Sequence, residues 1–139
     1  MNFRKFKYIS NFPLSMKQAP SSLRTWFTIH FVVDYLFAIP LFVAPAWFLS
    51  LFGFTVIDPV TARLVAAALF AVGGISLLSR NESVDAYKAL LKLKIIWSVS
   101  AIAGLLVSLW QGAPKQLWLV VLIFALFCGI WSYYFLKLR

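Results

Sequence analysis

The segment from Thr25 to Ile57, TWFTIHFVVDYLFAIPLFVAPAWFLSLFGFTVI, constrains the chain more than any other. It is apolar almost throughout, yet it holds one carboxylate, Asp34, one histidine, His30, and two prolines, Pro40 and Pro45. About 20 apolar residues rising 1.5 Å each span the hydrocarbon core of a bilayer, and a water-soluble domain has little use for such a run. Three further apolar blocks follow, at 59–79, 95–112 and 116–136. The pattern predicts an all-α integral membrane four-helix bundle, with helices at about 25–51, 59–79, 89–111 and 115–136. The first helix is expected to kink at Pro40 and Pro45, each of which removes a backbone donor.

Composition decides between lipid and water as the solvent. The 139 residues are 63% hydrophobic and 12% charged, against about 25% charged in ordinary soluble domains. A soluble fold of this length could not bury that much apolar surface. The net charge of +9 would suggest nucleic acid in a soluble protein. Here the cations fall in short runs between apolar blocks, so anionic lipid head groups are the expected partners and nucleic acid is not. The single cysteine, Cys128, has no partner for an intrachain disulfide.

Two domains of unequal character follow: a basic N-terminal segment, 1–24, and a membrane domain, 25–139. The first carries Arg4, Lys5, Lys7, Lys17 and Arg24 with no acid, interleaved with aromatics, and Pro13 and Pro20 forbid one continuous helix. Such a segment either lies on the surface of an anionic membrane or is a partly disordered tail whose charges only set orientation. A basic start, an apolar stretch and Ala44-Pro45-Ala46 loosely resemble a cleavable signal peptide. The long basic region and the proline in the would-be cleavage site argue that the chain stays uncleaved.

Orientation follows from the cations. With four crossings both termini and the middle loop share one side, and that side carries Arg4, Lys5, Lys7, Lys17, Arg24, Arg80, Lys88, Lys92, Lys94, Lys137 and Arg139. Only Arg63 and Lys115 fall on the other. The positive-inside rule then places both termini in the cytoplasm of a cell-membrane protein. Tryptophans and tyrosines near the predicted helix ends fit both interfaces.

Inside lipid, helices associate through small residues rather than hydrophobicity. Ala67, Ala71 and Gly74 form one such face, Ser100, Gly104 and Ser108 a second, and Ala125 and Gly129 a third. These faces are the expected helix contacts, within the bundle or with a second copy of the chain or another membrane-complex partner.

Asp34 is the strongest candidate for chemistry. An acid at membrane depth costs about 2.5–3.5 kcal/mol to insert and so faces the interior or a partner. Counting from Trp26, Asp34 lies roughly 12 Å into the membrane. Arg63 and Lys94, placed near opposite head-group levels, are expected to fall short of it. His30, one turn before it, and Ser100, at similar depth on the third helix, are the expected partners. These three residues form the candidate proton or ligand site; the simpler reading makes Asp34 a hydrogen-bonding strut. No HExxH, GxSxG, P-loop or dinucleotide pattern is present. With four acidic residues and one histidine, no catalytic residue, metal site or cofactor is expected.

The linker APAWFLSLFGF and the block DPVTARLVAAALFAVGGISLLSR, with its arginine near the helix start and its small-residue face, resemble the DoxX-like superfamily of small four-helix membrane proteins. The resemblance implies a compact integral four-helix bundle, of a kind that sometimes partners a redox or other membrane complex. The leading expectation is therefore a non-enzymatic assembly or accessory subunit. The alternative is a proton-coupled small-molecule transporter that uses Asp34 and works as a homo-oligomer.

Overall fold

A computed structural model describes residues 19–139; most of the basic segment predicted at 1–24 lies outside the described residues. The described chain is all-α, with four helices long and apolar enough to cross a membrane. α1 (Ser21–Val43), α3 (Pro59–Leu78), α4 (Val84–Trp110) and α5 (Leu117–Lys137) are these helices, and α2 (Pro45–Ser50) is a short link between the first two.

α1 starts directly after Pro20, which is extended at ψ 140° and whose carbonyl accepts from the Leu23 N–H at 3.0 Å. Its buried residues are Leu23, Phe27, His30, Asp34, Ala38 and Leu41. Steps of three and four residues put all six on one face, so the two polar side chains sit in the middle of the stripe that packs inward. Pro40 lies within α1, and the helix stops at Val43. The predicted single helix over 25–51 is therefore two. Ala44 leaves helical geometry at φ −134°, ψ 62°, and Pro45 opens α2 as its first residue, a position where a missing N–H costs nothing. Arg63 of α3 donates from Nε to the Phe42 carbonyl at 3.2 Å, supplying a donor near the break.

The chain then turns through Gly53, whose φ of +83° lies in the left-handed region that favours glycine. Asp58 caps α3, accepting from the backbone N–H of Val60 at 2.9 Å and of Thr61 at 3.3 Å, and from the Thr61 hydroxyl. Two of the donors left open at a helix start are thereby satisfied. The Thr61 hydroxyl and the Val60 N–H hold the Asp58 carboxyl below its ordinary pKa.

A single 3-10 turn, Ser79–Asn81, leads to Ser83, which caps α4 by accepting from the Ala86 N–H at 3.3 Å. This cap is why α4 begins at Val84 rather than near 89. At 27 residues α4 is about 40 Å long, longer than the roughly 30 Å hydrocarbon core. Its first turns therefore extend past the hydrocarbon, and there Lys88 pairs with Asp85 at 3.3 Å. Gly112, at φ +93°, turns the chain back into α5.

The closest helix pairs are α1 with α3 and α4 with α5. At the end holding the start of α1 and the end of α5, the pairs are joined by one apolar cluster. It contains Leu23 and Phe27 from α1, Tyr87 and Leu91 from α4, and Phe127, Trp131 and Tyr134 from α5. Toward the other end the core lies between α1 and α3, on Ala38, Leu41, Ala62, Ala66 and Leu69. There the helices line a half-open cavity.

Candidate functional site

The buried face of α4 reads Tyr87, Leu91, Lys94 and Ser98, the same four-three-four spacing as Leu23, Phe27, His30 and Asp34 on α1. The two stripes bring a lysine to the histidine. Lys94 is 1% exposed, His30 4% and Asp34 7%. Lys94 Nζ lies 2.7 Å from the Ser76 hydroxyl, 3.4 Å from the Val72 carbonyl and 3.3 Å from His30 Nδ1. An ammonium has three donors and no acceptor, and here three acceptors surround it. Its charge also sits over the rings of Phe27, at 5.0 Å, and Trp131, at 5.2 Å, a favourable arrangement for a desolvated cation.

Lys94, expected to fall short of Asp34, makes no ion pair with it but does reach the acid's neighbour His30. Lys94 stands in the stripe of Tyr87, Leu91 and Ser98, so its side chain turns inward. One amine joins α4 to α1 and α3 and stacks on α5. No sequence motif marks it, but one signal was present: Lys94 occupies an inward position in the stripe begun by Tyr87 and Leu91.

His30 is wedged edge-on against Phe127, ring centres 4.7 Å apart, and against Trp131, 5.2 Å apart. These rings fix the imidazole so that Nδ1 faces both Lys94 and Asp34. Asp34 Oδ2 is 3.0 Å from His30 Nδ1, but the approach does not meet hydrogen-bond geometry, and Oδ2 is buried without a hydrogen-bond partner. When Lys94 donates to Nδ1, that nitrogen has no proton left to offer the acid. A proton on Nδ1 would displace the lysine's bond, so the contacts of the three groups depend on one another.

Asp34 has room only because α3 presents Gly73. A Cβ added at Gly73 would lie 2.7 Å from Asp34 Cβ and 3.0 Å from Oδ2, closer than real side chains come. The neighbouring Gly74 is looser, its added Cβ meeting only the Tyr35 hydroxyl at 3.2 Å. The close-contact face of α3 is thus Ala62, Ala66, Gly73 and Ser76, while Ala67 and Ala71 are exposed. The other small residues divide similarly. Ser100, Gly104, Ala125 and Gly129 are exposed and Ser108 is half-buried. An added Cβ at Gly104 or Gly129 meets no atom within 4 Å. The structure brings His30 and Asp34 together and leaves Ser100 apart, the buried serine of α4 being Ser98.

Beside the cluster lies a cavity of about 470 Å³ lined by all five helices. His30 and Asp34 contribute to its wall, with Ser108. Phe37, Phe48, Phe52, Trp97 and Phe124 supply most of its aromatic surface. A largely apolar wall with a few placed polar groups, at a volume within about 300–1,000 Å³, is the usual form of a small-molecule site. Among the described residues no group of three His, Cys, Asp or Glu side chains is placed to hold a metal.

Compared with known proteins, the chain matches no protein-family model, no curated protein and no solved structure. The DoxX-like pattern therefore rests on the quoted segments alone, and the chain stands as a small multi-pass membrane protein of four apolar helices.

Proposed function

We propose that this protein is a membrane carrier that couples the movement of a small lipid-soluble molecule to proton exchange at Asp34, His30 and Lys94. The observation that carries the reading is the contact of a buried, linked set of titratable groups with an apolar cavity of about 470 Å³. Ionisable groups at membrane depth are costly, and they persist mostly where they serve proton or substrate paths. A structural strut needs one hydrogen-bonded acid. It does not need an acid, an imidazole and an amine beside empty space.

In this reading both termini are cytoplasmic and the protein sits in the cell membrane, as the cation distribution indicates. Lys92, Lys137 and Arg139 lie over the rings of Phe135 and Tyr133 at one end, a belt suited to anionic head groups. The test uses purified protein in vesicles that enclose a pH-sensitive dye. Lipid-soluble compounds added outside should produce a dye response with wild type and none with Asp34→Asn. No response to any compound with wild type would sink the carrier reading.

A second reading, an accessory subunit or homo-oligomer of the DoxX-like kind, is favoured by a separate observation. Ala67 and Ala71 on α3 and Ala125 and Gly129 on α5 are exposed, where small residues permit close approach of a further helix. Bulky residues at Ala67 and Ala71 should then release a partner or second copy in mild detergent. Unchanged particle mass with no partner in either sample would remove this reading.

A further inference from the structure

We infer that the cavity holds one acyl chain of a bilayer phospholipid, lying lengthwise along α4 and α5 with its head group outside, at the α4–α5 turn. The inference shares its cavity with the carrier reading and rests on that reading for the site, while its test is independent of proton coupling.

The cavity is as long as one leaflet is deep. Its wall follows α4 from Trp97 to Ser108 and α5 from Leu117 to Phe127. At 1.5 Å per residue each stretch is about 15–16 Å long, half of the roughly 30 Å hydrocarbon core. One end lies at the head groups. Leu117 is the first residue of α5, and exposed tryptophans mark the same level: Trp47 on α2, Trp110 at the end of α4 and Trp118 at the start of α5. The other end is shut by Phe127, which belongs to the aromatic cluster around Trp131. A slot of this depth, closed at mid-membrane, fits a chain that enters from that leaflet and stops.

The slot opens sideways. Of its lining residues only Val65 on α3 and Gly104 on α4 are exposed. A Cβ added at Gly104 meets no atom within 4 Å. The tight helix pairs are α1 with α3 and α4 with α5, so α3 and α4 do not seal against each other. At this depth the opening meets lipid hydrocarbon rather than water.

The wall suits hydrocarbon. Asp34 Oδ2 and Trp97 Nε1 are buried atoms with no surface toward the space, and the Ser108 hydroxyl donates back to the Gly104 carbonyl at 2.9 Å. An apolar void of this kind does not draw in water. Left empty, its lining would lose dispersion contacts on one side, and the membrane supplies acyl chains at the opening in excess. A polar head finds no place inside. Just before Leu117, however, Lys115 is exposed, and Asp58, an acid at the same end, is already engaged as a helix cap. A free cation at head-group level suits a lipid phosphate, which favours a phospholipid over a hydrocarbon without a head group.

The experiment places the full-length protein in vesicles of phosphatidylcholine and phosphatidylglycerol that carry a trace of phosphatidylcholine with a photoreactive diazirine in one chain. Two probes are compared, one with the diazirine near the glycerol and one with it near the chain end. Labelled residues are mapped by mass spectrometry after irradiation, with the exposed Leu122 of α5 as the reference for bulk lipid. The first probe should label the wall near Ser108 and Leu117, the second the wall near Trp97 and Phe127. Gly104→Leu combined with Val65→Phe narrows the opening and should lower cavity labelling several-fold relative to Leu122, with the circular dichroism of wild type. A cavity left unlabelled while Leu122 reacts, or labelled in no order with probe depth, would overturn the proposal. So would cavity labelling that survives unchanged in the narrowed variant. A free fatty acid with the same diazirine that labels the cavity where the phospholipid does not would name a different occupant and overturn it too. Cavity residues shielded from every probe in a protein that runs as a dimer would assign the opening to a second copy, with the same consequence. Ordered labelling without a vesicle pH response retains this inference and removes the carrier reading; a pH response from a protein whose cavity takes no lipid label does the reverse.

Discussion

The two ends of this bundle solve the same packing problem differently. Where α1 begins and α5 ends, large rings fill the space between the helix pairs: Phe27 stands 4.9 Å from Tyr87 and 5.4 Å from Trp131. At the other end, Phe37 of α1, Phe48 of α2 and Phe52 in the turn after α2 contact one another, but the space toward α4 and α5 stays open. Aromatic content is similar in both halves. What differs is that the filled end has inward residues on α1, α4 and α5 at matching levels, whereas α4 past Ser98 offers only small or half-exposed residues toward the centre. The titratable groups sit at the border of the two regimes, packed on one side by Phe127 and Trp131 and open on the other.

The largest expected effect comes from breaking that border. Lys94→Met keeps the length of the stem but removes the amine that holds Ser76, the Val72 carbonyl and His30. Removing one member of a buried charge-linked set costs about 3–5 kcal/mol, so the thermal midpoint in detergent should fall steeply. The double variant Lys94→Met with Asp34→Asn should be less damaged than the sum of the two singles. Strictly additive losses would show that the lysine and the acid do not act together through His30.

A second comparison contrasts glycines. Gly73→Ala drives a methyl group to 2.7 Å from Asp34 Cβ, a clash that a rigid pair of helix backbones relieves only by separating, at about 1–3 kcal/mol. Gly104→Ala, on the open side, should change stability by less than about 0.5 kcal/mol. Equal midpoints for the two variants would mean that the closed and open regions are not distinct.

These glycines also mark how far the sequence could be read. Four membrane helices were legible because hydrophobicity and length leave one solvent for them. The pairing of His30 with Asp34 was legible because four residues is one helical turn. Gly73 was not, because Gly73 and Gly74 are adjacent and only the rotation of α3 decides which of them meets α1. A shift of one residue turns a helix by about 100°, enough to exchange Ala66 for Ala67 and Gly73 for Gly74 at the contact. Ser98 and Ser100 differ on α4 for the same reason. Lys94 does fall short of Asp34, as expected, but its contact with His30 went unread because the inward stripe of Tyr87, Leu91 and Lys94 on α4 was not traced. Ser83, a capping residue immediately before an apolar helix, held the information that would have moved the start of α4 from 89 to 84.

The two caps supply the smaller tests. Ser83→Ala should cost about 1 kcal/mol, the usual value for an N-cap hydroxyl, and should loosen the filled end, since α4 carries Tyr87 and Leu91 into it. Hydrogen exchange of the first turn of α4 should rise while the turns around Gly104 stay unchanged. Faster exchange throughout α4 would show that the cap steadies the whole helix and that the two ends are not separable.

Asp58 is the corresponding cap at the open end, and its effect should be the smallest and the only one tied to acid pH. The Thr61 hydroxyl and the Val60 N–H both favour its ionised form, lowering its pKa from the ordinary carboxylate value. A group whose folded pKa is depressed contributes stability that is present above the unfolded value and lost as pH falls through the folded one. The contribution of Asp58 should therefore be complete at neutral pH, begin to fall near about pH 4, where free aspartate protonates, and disappear only below its depressed folded pKa. Asp58→Asn keeps a good cap but no titration, so its thermal midpoint should match wild type in acid and fall slightly below it at neutral pH. With Thr61→Val the hydroxyl is gone and the acid-dependent part should shrink, because that bond is the largest cause of the depression. A midpoint difference between wild type and Asp58→Asn that stays constant from neutral pH to well below about pH 4 would mean that the charge of this cap adds nothing beyond its geometry.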